Sequence, residues 1–156
     1  QVLGCGYHLV GAGKQMPANV KTLAIPVFSN TSNEPAIHRN LTDIVRQTFI
    51  NDRRLKLVKT SNADLVLKGV LTEYQLRPIA FNQNDIATEY WVYLGIDIEV
   101  TDRANKKPFL KKVFRTRWNY KADQDVVDAE ASRLEALNQA YLDVGRRLVS
   151  IVIDKF

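Results

Sequence analysis

The sequence predicts an α+β fold, a two-layer α/β sandwich in which a mixed sheet of four to five strands carries two helices on one face. Three observations predict it. A β-run, a helical stretch and a second β-run succeed one another between positions 21 and 59. Between Tyr90 and Val100 every even residue is apolar, the period of a strand exposed on one side. The final segment repeats apolar residues at three- and four-residue steps, the period of a helix resting on a sheet.

The elements follow in order. Lys21–Phe28 (KTLAIPVF) is a short β-run, and Pro26 requires an edge position or an early strand end. The loop SNTSNEP ends in residues that favour turns and caps, so Asn33 or Glu34 should cap a helix with Pro35 in its first turn. Ile37, Leu41, Ile44, Val45, Thr48 and Phe49 keep helical spacing to about Asp52. A strand at Leu55–Lys59 then closes a β-α-β unit, whose strands should be parallel with a right-handed crossover. After the turn at Ser61–Asp64, Leu65–Arg77 reads as a third strand, followed by a polar loop at Ala80–Ala87.

Tyr90, Val92, Leu94, Ile96, Ile98 and Val100 give the cleanest alternation in the chain, a half-buried antiparallel strand. The turn Asp102–Lys107 leads to Phe109–Tyr120, with Leu110, Phe114 and Trp118 on the core face. From about Gln124 to Phe156 one amphipathic helix sets Val127, Leu134, Leu137, Tyr141, Val144, Leu148 and Ile151 on one stripe. At 1.5 Å per residue it reaches roughly 45–50 Å, enough to cross the sheet. No repeat or linker divides residues 21–156, which read as a single α/β domain.

An apolar fraction of 46% and a charged fraction of 25% suit a globular domain, and no apolar run approaches the ~20 residues of a membrane-spanning helix. The net charge of +5 is compatible with an anionic partner and equally with simple solubility. A single cysteine, Cys5, rules out a disulfide framework or a thiolate metal cluster. Val2-Leu3-Gly4-Cys5 has the form of a lipobox: aliphatic, aliphatic, small, then the thiol that a lipid would alkylate. On this reading Gln1–Gly4 are the remnant of a signal peptide, and residues 5–20 are a Gly-rich lipidated tether.

Catalytic patterns fail one by one. Gly11-Ala12-Gly13-Lys14 lacks the upstream glycine and the Mg²⁺-binding hydroxyl of a phosphate-binding loop, with His8 and Gln15 in their places. His8 and His38, in the tether and on a helix, assemble neither a triad nor a metal site. Neither a catalytic residue, a metal nor a cofactor is expected. What the sequence offers instead is a surface. If the Asp102–Lys107 turn makes opposed residues sum to 210, Glu99 faces Lys111, Gly95 faces Arg115, Tyr93 faces Arg117 and Trp91 faces Asn119. An ion pair and an aromatic–cation pair then share the outer sheet face. Such a face is either a solvated sheet surface or a partner-binding one, aromatic–Arg patches being enriched at interfaces.

Cys5-Gly6-Tyr7-His8-Leu9, Lys21–Phe28, the Thr88-Glu89-Tyr90 opening of the fourth strand and the closing helix, in that order, resemble the lipopolysaccharide-assembly lipoproteins of the LptE family. The resemblance implies a non-catalytic domain, lipid-anchored through Cys5 to the periplasmic face of the outer membrane. Such a domain plugs and helps assemble the LptD β-barrel translocon and binds lipopolysaccharide; nucleic acid is not among the implied partners. A pilotin-like adaptor of a secretion pore is the alternative. In known members basic residues before the Thr-Glu-Tyr strand and at the start of the last helix contact the glycolipid. Here Phe81–Asp85 and Asp123–Asp125 are neutral or acidic, so the contact is assigned to Trp91, Tyr93, Lys111, Arg115 and Arg117.

Overall fold

The computed structural model describes residues 19–122 and 126–154. Cys5, the lipobox and the Gly-Ala-Gly-Lys stretch lie outside the described residues, as does nearly all of the expected tether. The elements are β1 (Thr22–Ala24), β2 (Ser29–Asn30), α1 (Ile37–Asp52), β3 (Lys56–Leu57), β4 (Leu65–Phe81), β5 (Ala87–Asp102), β6 (Lys107–Lys121) and α2 (Val126–Asp154). They build a six-stranded mixed sheet in the order β3-β1-β4-β5-β6, with β2 pairing β4 off that path. The predicted α+β class is observed, and the strand beyond the expected count is the two-residue β2.

The β-α-β unit forms as the sequence requires. β1 pairs in parallel with β3 and also with β4, so it is an interior strand. Pro26, which cannot donate to a ladder, is therefore accommodated by the early end of β1 at Ala24 and not by an edge. The expected cap of α1 is not used. Neither Asn33 nor Glu34 caps it; Ala36 precedes the helix in the left-handed region at φ 68°, without a side-chain cap. The loop's polar groups serve the loop itself: Asn30 Nδ2 donates to the Glu34 carbonyl, and Ser32 N–H to Asn30 Oδ1.

The three long strands outrun their sequence limits. β4 continues through Pro78 to Phe81, paired on one side only with β5, and register shifts after Leu71 and around Ala80 absorb the irregularity. Past the short pairing with β2 at Val70 and Leu71, no described strand takes the other edge of β4, which is where a proline is tolerated. β6 holds the opposite edge of the sheet and pairs only with β5 among the described residues. That edge carries Lys107, Lys111, Lys112, Arg115, Arg117 and Lys121 and no acidic residue.

One continuous core forms beneath the helices. Val92, Leu94, Ile96, Ile98 and Val100 of β5 pack with Leu41, Val45 and Phe49 of α1 and with Leu137, Val144 and Leu148 of α2. Each such fully buried aliphatic contributes about 1.5–3 kcal/mol before chain entropy is counted. Thr42, the buried polar residue of α1, accepts the Phe28 N–H at 3.0 Å and donates to the His38 carbonyl at 2.7 Å. The α2 stripe is shorter than expected: Val127 and Leu134 are exposed at 75% and 49%, and burial begins at Ala136. Trp118 points to the helical side but keeps 37% exposure, because α2 covers Phe114 fully and Trp118 only in part.

Candidate functional site

The outer face of the sheet, opposite the helices, is built by alternation. With Val92 to Val100 committed to the core, Trp91, Tyr93, Gly95, Asp97 and Glu99 must point away from it. The register places a residue of β4 and one of β6 beside each. Arg77, Trp91 and Asn119 form one row; Gln75, Tyr93 and Arg117 the next; then Glu73, Gly95 and Arg115; then Val70, Asp97 and Val113; then Lys68, Glu99 and Lys111. At the β1 side the same face is closed by Ala24, Val66 and Ala63, packed against Val58.

The expected cross-strand register is observed from Trp91–Asn119 to Val100–Leu110, shifting only at Thr101. Lys111 and Glu99 pair at 3.0 Å. Arg115 faces Gly95 and reaches past it to Glu73 at 3.8 Å. Gly95 is what permits the crossing, since a Cβ there would stand 2.8 Å from the Glu73 Cβ. One expectation is corrected. Although Tyr93 sits opposite Arg117, the Arg117 guanidinium does not stack on it. It lies over Trp91, 4.1 Å from the ring centroid, and Tyr93 is covered instead by Arg77 at 4.8 Å. The two rings meet edge to face at 5.8 Å, so the cation of each stack reaches diagonally to the neighbouring row.

Sequence reasoning therefore gathered Trp91, Tyr93, Lys111, Arg115 and Arg117 correctly on one face and missed Arg77. Arg77 is fixed twice, by Tyr93 and by Gln75, whose Oε1 accepts from Nε at 3.1 Å and from Nη2 at 2.8 Å. The Arg117 guanidinium stacks on Trp91 and donates no hydrogen bond to a described side chain. Nearer β1, Lys68, Val70, Asp97, Glu99, Lys111 and Val113 line a shallow trough of about 490 Å³.

A second polar cluster belongs to the frame. Arg133 of α2 donates to Tyr74 Oη at 2.7 Å and forks onto Glu130 at 2.8 and 2.6 Å, with Glu34 at 3.5 Å. It ties the start of α2 to β4 and to the loop before α1. Its hydrogen bond to Glu130 raises the Arg133 pKa and holds the Glu130 carboxyl below its ordinary range. Burial pushes Tyr74 and Tyr141 upward, so these two phenols stay neutral while Arg133 and Glu130 stay charged at physiological pH. Among the described residues, no group of three or more His, Cys, Asp or Glu side chains is placed to hold a metal ion.

Among the described residues, the protein is a two-layer α+β domain that leaves one sheet face uncovered by helices and lined by stacked arginines and aromatics. A family model described as lipopolysaccharide-assembly, LptE, matches residues 20–150, and the chain belongs to that family of outer-membrane lipopolysaccharide-assembly lipoproteins. Solved structures share the fold at low identity. The hypothetical protein CT253 of Chlamydia trachomatis is 10% identical with a TM-score of 0.64, covering 85% of this chain and 95% of its own. The uncharacterized lipoprotein B of Nitrosomonas europaea is 16% identical with a TM-score of 0.60, covering 96% and 91%. The rare lipoprotein B of Shewanella oneidensis is 18% identical with a TM-score of 0.55, covering 80% and 92%. No curated protein sequence matches.

Proposed function

We propose that this protein is the lipid-anchored partner of an LptD-type outer-membrane β-barrel, plugging and assisting its assembly and binding lipopolysaccharide. Cys5 carries the anchor, residues 1–4 are removed with the signal peptide, and residues 5–20 tether a single domain, 21–156, to the periplasmic face of the outer membrane. The observation that carries the reading is the outer sheet face, where Trp91, Tyr93, Lys111, Arg115 and Arg117 are presented together and no described helix covers them. A face of this kind meets anionic and aromatic partner surfaces at small cost to folding, because the scaffold beneath it is fixed by the core on the other side.

The test is a pull-down of the full chain from native outer membranes, with mass spectrometry of the bound species. Recovery of an LptD-type barrel together with lipopolysaccharide supports the proposal, as does an N-terminus at Cys5 bearing a diacylglyceryl mass. Recovery of a secretion pore in place of the barrel, or an unmodified Gln1 in native membranes, overturns it.

A further inference from the structure

Charge changes sign along the length of the domain. One end gathers the start of β1, the α1–β3 connection, the turn before β4 and the β5–β6 turn. The Lys56 N–H donates to the Lys21 carbonyl at 2.9 Å, and the Arg103 N–H to the Asp64 carbonyl at 2.9 Å. Asn19 and Val20, where the described chain begins, line one cleft with Arg103 and Lys106. Arg133 of α2 reaches Glu34 before α1, and Gly145 lies against Thr48, so the helices run in the same direction and α2 also ends here.

This end is basic. Lys21 and Lys56 stand on β1 and β3 with Lys59 after them, Arg53 and Arg54 follow α1, and Arg103, Lys106 and Lys107 form the β5–β6 turn, all exposed. Its acids are largely committed. Asp52 is held by Arg54 at 2.6 Å, Asp64 by the amides of Lys21 and Thr22, and Asp102 by the Ala104 amide and Asn105 Nδ2, leaving Asp154 at the close of α2. In the sequence, residues 1–18 contain Lys14 and no acidic residue, and Lys155 follows Asp154. The opposite end has the reverse balance. Beyond the row of Tyr93, Glu34, Asp85, Glu89, Asp128, Glu130 and Glu135 outnumber Arg39, Arg77, Lys121 and Arg133. Asp123 and Asp125, outside the described residues, fall between β6 and α2. β5 is about 50 Å long at strand rise, and charges are screened within about 8 Å at physiological salt. The two ends therefore act separately on whatever lies near them.

The cations of the basic end come from several segments and converge on no single pocket, which suits a plane of negative charge better than one bound anion. The chain also leaves toward Cys5 from this end. Residues 5–19 can span at most about 50 Å, so an acyl anchor limits the distance to a bilayer without choosing which side of the domain faces it. Resting on the anchor proposed at Cys5, we infer that the basic end is a docking face for a bilayer surface of anionic phospholipid headgroups. It turns the β5–β6 turn toward the membrane and the β4–β5 hairpin away.

The experiment measures cosedimentation of the full chain carrying Cys5→Ser, which cannot be acylated, with vesicles free of lipopolysaccharide. Phosphatidylcholine vesicles are compared with vesicles in which phosphatidylglycerol replaces part of that lipid. The chain should prefer the anionic vesicles, and the preference should fade as salt rises. Each basic residue near an anionic surface contributes about fivefold. Lys106→Gln with Lys107→Gln, and separately Lys56→Gln with Arg103→Gln, should each weaken binding by about tenfold or more. Arg39→Gln with Lys121→Gln, the same charge change toward the hairpin end, should bind as the parent. Because Cys5 is the only cysteine, Ala104→Cys and Asn84→Cys each give one thiol for a fluorescent label in the Cys5→Ser background. Quencher on the lipid headgroup should dim the label at 104 and spare the one at 84. Equal binding to both vesicles, a loss from Arg39→Gln with Lys121→Gln as large as from the other pairs, or equal quenching at 84 and 104 overturns the face. The anchor is read independently from the N-terminal mass of the native protein. An acylated Cys5 without anionic preference sinks the face alone, and an unmodified Gln1 with that preference sinks the anchor alone.

Discussion

Phe28 lies across Gly69 so closely that a Cβ at position 69 would stand 2.6 Å from its ring. The ring is 1% exposed and has no room to retreat. Gly69→Ala should therefore cost about 1–3 kcal/mol, read as a lower midpoint in a thermal melt. Adding Phe28→Leu to Gly69→Ala should recover part of the loss. A single variant as stable as wild type would show that the strand and the ring can part freely.

Gly145 performs the same service between the helices, where an added Cβ would meet Thr48 Oγ1 at 2.5 Å and its Cβ at 3.1 Å. Alanine gains up to about 1 kcal/mol in helix propensity over glycine. Overpacking costs about 1–3 kcal/mol, so the net change in Gly145→Ala should be a loss. Thr48→Ala in the same background removes the obstructing atoms and should restore the melt. A gain in stability from Gly145→Ala alone would mean that α1 and α2 separate without penalty.

Asp64 clasps β1. Its Oδ2 accepts the Lys21 N–H at 2.8 Å, the Thr22 N–H at 2.9 Å and the Thr22 hydroxyl at 2.8 Å. Chiefly through the Lys21 amide, these donors hold its carboxyl below the ordinary aspartate range. A depressed folded pKa contributes stability above the unfolded value of about 3.9 and loses it as pH falls through the folded one. Asp64→Asn should lower the neutral-pH midpoint by about 2–4 °C, and that gap should close in melts carried below about pH 4. A gap that persists unchanged in acid would assign the effect to something other than the charge.

Replacing both Arg115 and Arg117 with Glu should leave the fold almost untouched. Arg115 is 75% exposed with its partner 3.8 Å away, and surface pairs contribute under about 1 kcal/mol each. Binding to lipopolysaccharide and to the barrel should fall by about a hundredfold or more if the contacts are direct. A melt far below wild type would show that the face is structural, and undiminished binding that it is only solvated.

Where the sequence was legible, a local rule sufficed. The alternation from Tyr90 to Val100 decided which side chains leave the core, and one turn carried the register of ten consecutive pairs, from Trp91–Asn119 to Val100–Leu110. Arg77 was beyond reach because the extra residue at Thr72 shifts β4 against β5, and no hydrophobic pattern marks a bulge. The diagonal stacking is set by side-chain reach rather than by register, so Tyr93 could not be matched to Arg77 from spacing alone. Arg133 and Tyr74 lie 59 residues apart, and neither carries a local signal of the other. Val127 and Leu134 keep helical phase with the core but lie on turns of α2 that precede it, and phase says nothing about where a neighbour ends.

The cationic edge of β6 has a consequence for how copies of the protein coexist. Held at a membrane by the anchor proposed above, neighbours meet in two dimensions at a high effective concentration. A long strand with an open row of amides is then a template on which the next copy can grow. Two such edges brought together would set lysines and arginines of β6 against each other, with no acidic residue on either edge strand to pair them across the junction. On that proposal, crowding raises the number of collisions while the like charges along β6 oppose strand-to-strand growth.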